Sequence, residues 1–188
     1  MQPPASSCTA RGFALIEVLV SLFVVSLGIL ALSGVMQASN RYGKTSELRS
    51  TATLLANDIA DHVRANGAGA ATGGYDLARA YPGPAPREPD QASCELAHDA
   101  PCTPQQLAAL DLYRWQQRLL ATLPNGSGFV RYNAPGADAR ASVDVWVGWT
   151  DPAVNGARRN ERPAGECPAG FDVAANHAVR CVYLQVGL

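Results

Sequence analysis

One ionisable side chain interrupts an apolar stretch near the N-terminus. Between Gly12 and Asn40 the only charged residue is Glu17. A carboxylate inside a membrane span costs on the order of 2.5–3.5 kcal/mol at mid-helix and less near an end, so a functional partner is expected for it. Cleavage between Gly12 and Phe13 would create that partner, because the new α-amino group would lie one helical turn from Glu17, within one chain or between neighbours. The spacing therefore predicts an ion pair.

The cysteines are the second group of residues that could do chemistry. Cys8 precedes the apolar stretch, and four more follow it at unequal spacing: Cys94, Cys102, Cys167 and Cys181. An even number without a C-x-x-C pair favours two disulfides over a metal site, with three possible connectivities. Disulfides predict that this part of the chain matures in an oxidising compartment such as a bacterial periplasm.

No residue pattern indicates an enzyme, a cofactor or a resident metal. Three histidines stand apart and are expected to be packed or solvated: His62, His98 and His177. The motifs G-x-S-x-G, H-E-x-x-H and the P-loop do not occur. The formal net charge of -1 gives no electrostatic case for nucleic acid. A small basic run is expected to be a solvated loop rather than a DNA contact: Arg158, Arg159 and Arg162.

These residues require an element that holds Glu17 in an apolar environment. The stretch from Phe13 to Met36 is long enough, as a helix, to cross a hydrocarbon core of roughly 30 Å. It is too long for the core of a secretory signal peptide, and no A-x-A cleavage site follows it. A plain signal anchor on a periplasmic enzyme or binding module remains the alternative of another class.

The segment Arg11–Glu17 resembles the processing signal of type IV prepilins and type II secretion pseudopilins. The resemblance implies that a prepilin peptidase removes residues 1–12 as a leader, cutting between Gly12 and Phe13. It implies N-methylation of Phe13 and a role for Glu17 in assembly. No cofactor or metal is implied.

The continuation of the stretch resembles one branch of this family. Ile16–Ser21 followed by Ser26–Gly34 is similar to the minor pilin PilV. The resemblance implies a minor pilin that primes a type IV pilus or joins its tip subcomplex, in a system used for twitching motility and cell adhesion. The implied partners are major and minor pilins, the prepilin peptidase, the inner membrane and the assembly platform. The alternative within the family is a GspI-like type II secretion pseudopilin.

The helical pattern continues beyond the membrane span. A stripe at spacings of three to four residues predicts an amphipathic continuation over residues 37–66: Leu48, Ala52, Leu55, Ile59 and Val63. Asn66-Gly67 is a stop signal. From Phe13 to Asn66 this gives one helix of roughly 80 Å.

Residues 67–188 are predicted to form a globular head. Gly67–Pro104 is expected to be a long connection. Thr103, Pro104 and Gln106 predict a capped second helix that ends at Pro124-Asn125-Gly126. Three strands are predicted: Gly128–Asn133, Ser142–Trp149 and Ala178–Val186. The predicted elements give an α+β fold class, and the resemblance implies a type IV pilin fold, with a long hydrophobic helix packed on a small antiparallel sheet and one extra helix. In such a head the expected disulfides are Cys94–Cys102 and Cys167–Cys181, the second like the C-terminal disulfide loop of many pilins.

The orientation in the membrane has two opposing signals. Three basic residues follow the span and Arg11 alone precedes it, which by the positive-inside rule would place the head in the cytoplasm. The paired cysteines and the processing signal require the opposite. We therefore expect a single-pass protein of the inner membrane with a periplasmic head, which later enters the pilus fibre or its tip.

Overall fold

The computed structural model describes residues 15–89, 101–136, 140–152, 154, 166–171, 173 and 178–188. The chain divides into two compact units, Met1–Tyr42 and Gly43–Leu188. The leader, the cleavage position, Cys94, two of the histidines and the basic run lie outside the described residues. The elements below are the helices and strands of the described part.

The first helix, α1, spans Leu15–Ala65 and has 51 residues. By length and composition it is the one helix within the described ranges that could cross a membrane, and its most apolar window has a mean hydropathy of 2.7. No proline interrupts it. The long helix predicted from the sequence is confirmed over the described residues, and it ends at Ala65, one residue before the predicted end at Asn66.

The part of α1 in the second unit packs against the head. The predicted stripe is buried at Leu48, Ala52, Ile59 and Val63, and Leu55 is partly buried. Ala56 and Ala60 are also buried, which the leucine and valine spacing alone did not indicate. The indole of Trp115 reaches this helix from the second long helix and donates a hydrogen bond to the Leu55 carbonyl oxygen at 2.8 Å.

A short helix, α2, spans Gly67–Ala71 where the sequence predicted only a connection. The Asn66 side chain accepts a hydrogen bond from the Gly69 amide at 3.2 Å and donates one to the Pro104 carbonyl at 2.7 Å. A Cβ at Gly69 would lie 2.7 Å from that same carbonyl oxygen, so this close approach requires glycine. The tertiary contact stabilises a helix that the glycine content disfavours.

The second long helix, α3, spans Pro104–Thr122. The predicted capping box is present, since the Thr103 hydroxyl accepts from the Gln106 amide and the Gln106 side chain accepts from the Thr103 amide. The predicted apolar face is buried: Leu112, Trp115, Leu119 and Leu123. The prediction of this helix is confirmed.

Three antiparallel strands form one sheet in the order β1-β2-β3: β1 Ser127–Asn133, β2 Ser142–Thr150 and β3 Val179–Gly187. The three predicted strands are therefore confirmed. The central strand, β2, is buried on both faces. Its valines at 143, 145 and 147 join the core beneath α1 and α3, whereas Trp146 joins a second, smaller core on the other face.

The second core was not predicted. A 3-10 turn, Ala169–Phe171, places the Phe171 ring against Phe129 and Tyr81. A disulfide joins Cys167 to Cys181 on β3 and thereby fixes this turn beside the sheet. Cys102 is also disulfide-bonded.

Candidate assembly site and polar networks of the head

Glu17 lies in the first turn of α1, and its side chain is exposed. No hydrogen bond or ion pair to Glu17 occurs among the residues from Leu15 onward that the structure describes. The proposed cleavage residues, Gly12 and Phe13, lie outside those residues. The carboxylate is therefore exposed on the most apolar part of the chain.

The other polar side chains of the span are satisfied by their own helix. The hydroxyls of Ser21, Ser26 and Ser33 donate to main-chain carbonyl oxygens three or four residues earlier, at 2.7–2.9 Å. Because each of these hydroxyl groups already donates within its own helix, it needs no hydrogen-bond acceptor from the surroundings. Glu17 is the one side chain of this span whose charge requires a partner from elsewhere.

The apolar side chains around Glu17 are exposed. Large aliphatic and aromatic residues from Leu15 to Met36 are each at least 44% exposed. A helix that is apolar on all faces is stable only in lipid or among other apolar helices. In either environment the dielectric constant is low, so an unpaired carboxylate is less favourable there than in water.

A buried carboxylate, Asp144, organises the outer face of the sheet. Asp144 lies on β2, and side chains from both flanking strands donate to it at 2.8–3.2 Å: Arg131, Asn133, Tyr183 and Gln185. Burial alone would raise the pKa of Asp144, but these hydrogen bonds outweigh that effect and hold the pKa below its usual value. Burial and the hydrogen bond to Asp144 raise the pKa of Tyr183.

Aromatic and cationic groups extend this cluster. The Arg131 guanidinium lies 5.3 Å from the centroid of the Trp146 ring, and the Tyr183 ring lies 4.9 Å from Trp146 on the adjacent strand. These contacts fix the register of the three strands. They are structural, because the side chains that donate to Asp144 come from the strands on either side of it.

A second buried carboxylate, Asp111, connects α3 to the end of α1. It accepts a hydrogen bond from the Tyr75 hydroxyl at 2.6 Å, and its other oxygen lies 3.2 Å from Nδ1 of His62. Burial and the contact with Asp111 raise the pKa of Tyr75 well above its usual range. His62, which the sequence treated as isolated, is therefore part of a network that positions two helices.

Both networks hold elements of the head together. Among the residues that the structure describes, no group of three His, Cys, Asp or Glu side chains could hold a metal ion. The sequence did not identify Asp144, Asp111 or Tyr75 as important. The sequence did contain one indication of the Asp144 cluster. Asp144 lies in the middle of a valine- and tryptophan-rich strand, where a buried charge requires partners.

Comparison with known proteins gives one match. Residues 8–33 match the family model described as the prokaryotic N-terminal methylation motif, a span that includes Gly12, Phe13 and Glu17. No curated protein and no solved structure gives a significant match. The chain therefore carries the N-terminal motif of pilin-type prepilins. This motif implies processing by a prepilin peptidase, a membrane-anchored state and assembly with other pilins.

Proposed function

We propose that this protein is a PilV-like minor pilin, which primes assembly of a type IV pilus or joins the subcomplex at its tip. A peptidase removes residues 1–12, Phe13 becomes the methylated N-terminus, and the span Phe13–Met36 holds the subunit in the inner membrane with a periplasmic head. The observation that carries the proposal is the carboxylate of Glu17, which has no partner among the residues that the structure describes, on an apolar helix whose serine hydroxyls bond to its own main chain.

The chemistry of assembly follows from that charge. In a bundle of apolar helices an isolated carboxylate is strongly unfavourable, and so is the isolated α-ammonium group of a cleaved N-terminus. Pairing Glu17 of one subunit with the Phe13 ammonium of a neighbour removes both penalties. Because breaking such a pair leaves the other charge buried, the pair also sets the axial register between neighbouring subunits.

The head is suited to a structural role. The second part of α1 packs on a three-stranded sheet, whereas the residues from Leu15 to Met36 expose their side chains. This arrangement gives each subunit a folded domain and an apolar helix available to membrane or neighbouring helices. Contributions to adhesion and twitching motility would follow from membership of the fibre.

The decisive experiment compares Glu17→Val and Glu17→Gln with the unaltered protein in cells that depend on it for piliation. We expect both variants to be cleaved and retained in the membrane but lost from sheared pilus fractions, because each leaves an N-terminal ammonium unpaired. Glu47→Gln is the matched control, since Glu47 lies exposed on the same helix, where it pairs with Lys44 at 3.0 Å. Normal piliation by Glu17→Val would refute the proposed role.

The same motif occurs in pseudopilins of type II secretion, so a second machine is a specific alternative. Deletion of the protein distinguishes the two candidate functions. Loss of pili with normal protein secretion supports the minor pilin. Loss of secretion with normal pili would assign the chain to the secretion machine instead.

A further inference from the structure

The two edges of the sheet differ in how their main-chain groups are used. On the β1 edge, Val130 and Leu77 exchange both main-chain hydrogen bonds, at 2.9 and 3.0 Å. The next outward amide, that of Tyr132, donates to the Asp76 carboxylate. This edge is therefore closed by residues 76–77, which prevents a further strand from pairing with β1.

Two main-chain hydrogen bonds at the ends of β3 show which of its residues bond to β2. The Leu188 amide donates to the Ala141 carbonyl at 3.0 Å, and the Asp151 amide donates to the Ala178 carbonyl at 2.8 Å. In the β2–β3 register these residues lie directly opposite each other. Hydrogen-bonded pairs alternate along an antiparallel ladder, so even-numbered residues of β3 bond to β2.

The odd-numbered residues consequently direct their N–H and C=O groups away from β2. At Cys181, Tyr183 and Gln185 these groups find no main-chain partner within the described ranges. An open groove of about 470 Å³ runs beside this edge. Cys181 and Tyr183 line it from β3, and Arg49 and Thr53 line it from α1.

We propose that the β3 edge binds an extended strand of a partner polypeptide, which adds to the sheet beside β3. Donors and acceptors that alternate at a two-residue repeat are complementary to another extended main chain. Tyr183, which lines the groove and is 50% exposed, provides an apolar ring for a side chain of the incoming strand.

The charges beside the groove define the partner further. Arg49 and Glu166 lie 3.7 Å apart, but the Arg49 side chain is 66% exposed and that of Glu166 only 15%. The accessible charge is therefore positive. The strand that fits carries one acidic side chain near Arg49 and a β-branched or aromatic side chain over Tyr183. This inference goes beyond the assembly role of Glu17 and does not depend on it.

The test measures residue-resolved amide hydrogen exchange of the full-length chain in detergent micelles. The probe is a capped nine-residue peptide of alternating valine and threonine with one central aspartate; a second peptide has lysine in its place. We expect the aspartate peptide to slow exchange at Cys181, Tyr183 and Gln185 by at least about tenfold, while the even-numbered amides stay unchanged. The lysine peptide should bind more weakly, and Arg49→Glu should reverse that preference.

Two variants at one position isolate the main-chain bond. Gln185→Pro removes an outward amide but no main-chain hydrogen bond to β2, and should abolish peptide binding. Gln185→Ala loses the same side chain but keeps the amide, and should bind normally. Three results would overturn the proposal. These are slow exchange of the three amides in the free protein, protection that rises with protein concentration alone, which would indicate a second copy, and no protection by either peptide.

Discussion

The indole nitrogen of Trp115 donates a hydrogen bond to the main-chain carbonyl oxygen of Leu55 at 2.8 Å. This contact joins α3 to α1 at the centre of the larger core, where Trp115 is fully buried. The opposite side of the same ring faces Gly128 on β1, where an added Cβ would lie 2.2 Å from a ring carbon. One side chain thus determines the spacing of two helices and a strand.

Gly128→Ala is expected to destabilise the head by about 1–3 kcal/mol, because the methyl group overlaps the indole of Trp115. Trp115→Phe should also be destabilising, by about 1–3 kcal/mol, through lost packing and the lost hydrogen bond. Since phenylalanine lacks the overlapped atoms, the double variant should lose less stability than the sum of the two. Chemical denaturation measures all three. Leu120→Ala, at an exposed position of α3, is the control and should change stability by less than about 0.5 kcal/mol.

The hydrogen-bonded carboxylate of Asp144 is expected to make the stability of the head depend on pH. Its pKa in the folded protein is below the usual value, so its contribution is fully present above the pKa of the unfolded chain. That contribution is lost as the pH falls through the folded pKa. Asp144→Asn should cost about 1–3 kcal/mol at neutral pH, because an amide cannot accept from all the surrounding donors.

The same variant should lose less stability than the unaltered protein between neutral and acidic pH. Melting temperatures measured from pH 7 down to pH 2 give this comparison. Parallel curves for the two proteins would show that Asp144 does not contribute through its charge. Asp61→Asn, at an exposed position of α1, should leave the pH dependence nearly unchanged.

The disulfide between Cys167 and Cys181 is expected to stabilise the folded head. The two cysteines are separated by 14 positions, and closing a loop of that length is worth roughly 3 kcal/mol in the chain-entropy model. The double variant Cys167→Ala/Cys181→Ala should therefore unfold at lower denaturant concentration. Because Cys102 is disulfide-bonded too, the double variant is more informative than reduction with a thiol. Mass mapping under non-reducing conditions checks the pairing, and free thiols in periplasmic material would contradict it.

Local sequence signals predicted most of the elements. The capping box at Thr103 and the apolar spacing of α1 identified both long helices, because capping and amphipathicity depend on neighbouring residues. The Phe171 core and the Asp144 cluster could not be predicted in this way. They bring together residues such as Asp144 and Tyr183, which are far apart in the sequence and meet only through strand register. The proposed role of Glu17 rests on the sequence, because a charge in an apolar run is conspicuous without any tertiary information.

The proposed cleavage between Gly12 and Phe13 yields the last prediction. If a peptidase needs a small residue before the scissile bond, Gly12→Val should leave an uncut precursor in the membrane. The mature unaltered protein should begin with N-methylated Phe13, as read by N-terminal sequencing and intact mass.

Gly34→Val is the matched control. It makes the same change on the exposed span, where an added Cβ meets no atom within 4 Å, so it should be cleaved normally. If both variants accumulated as precursor, the defect would lie in membrane insertion rather than in the cleavage site. A mature N-terminus beyond Met36 would exclude prepilin processing, because the segment that contains Glu17 would then be absent from the assembled protein.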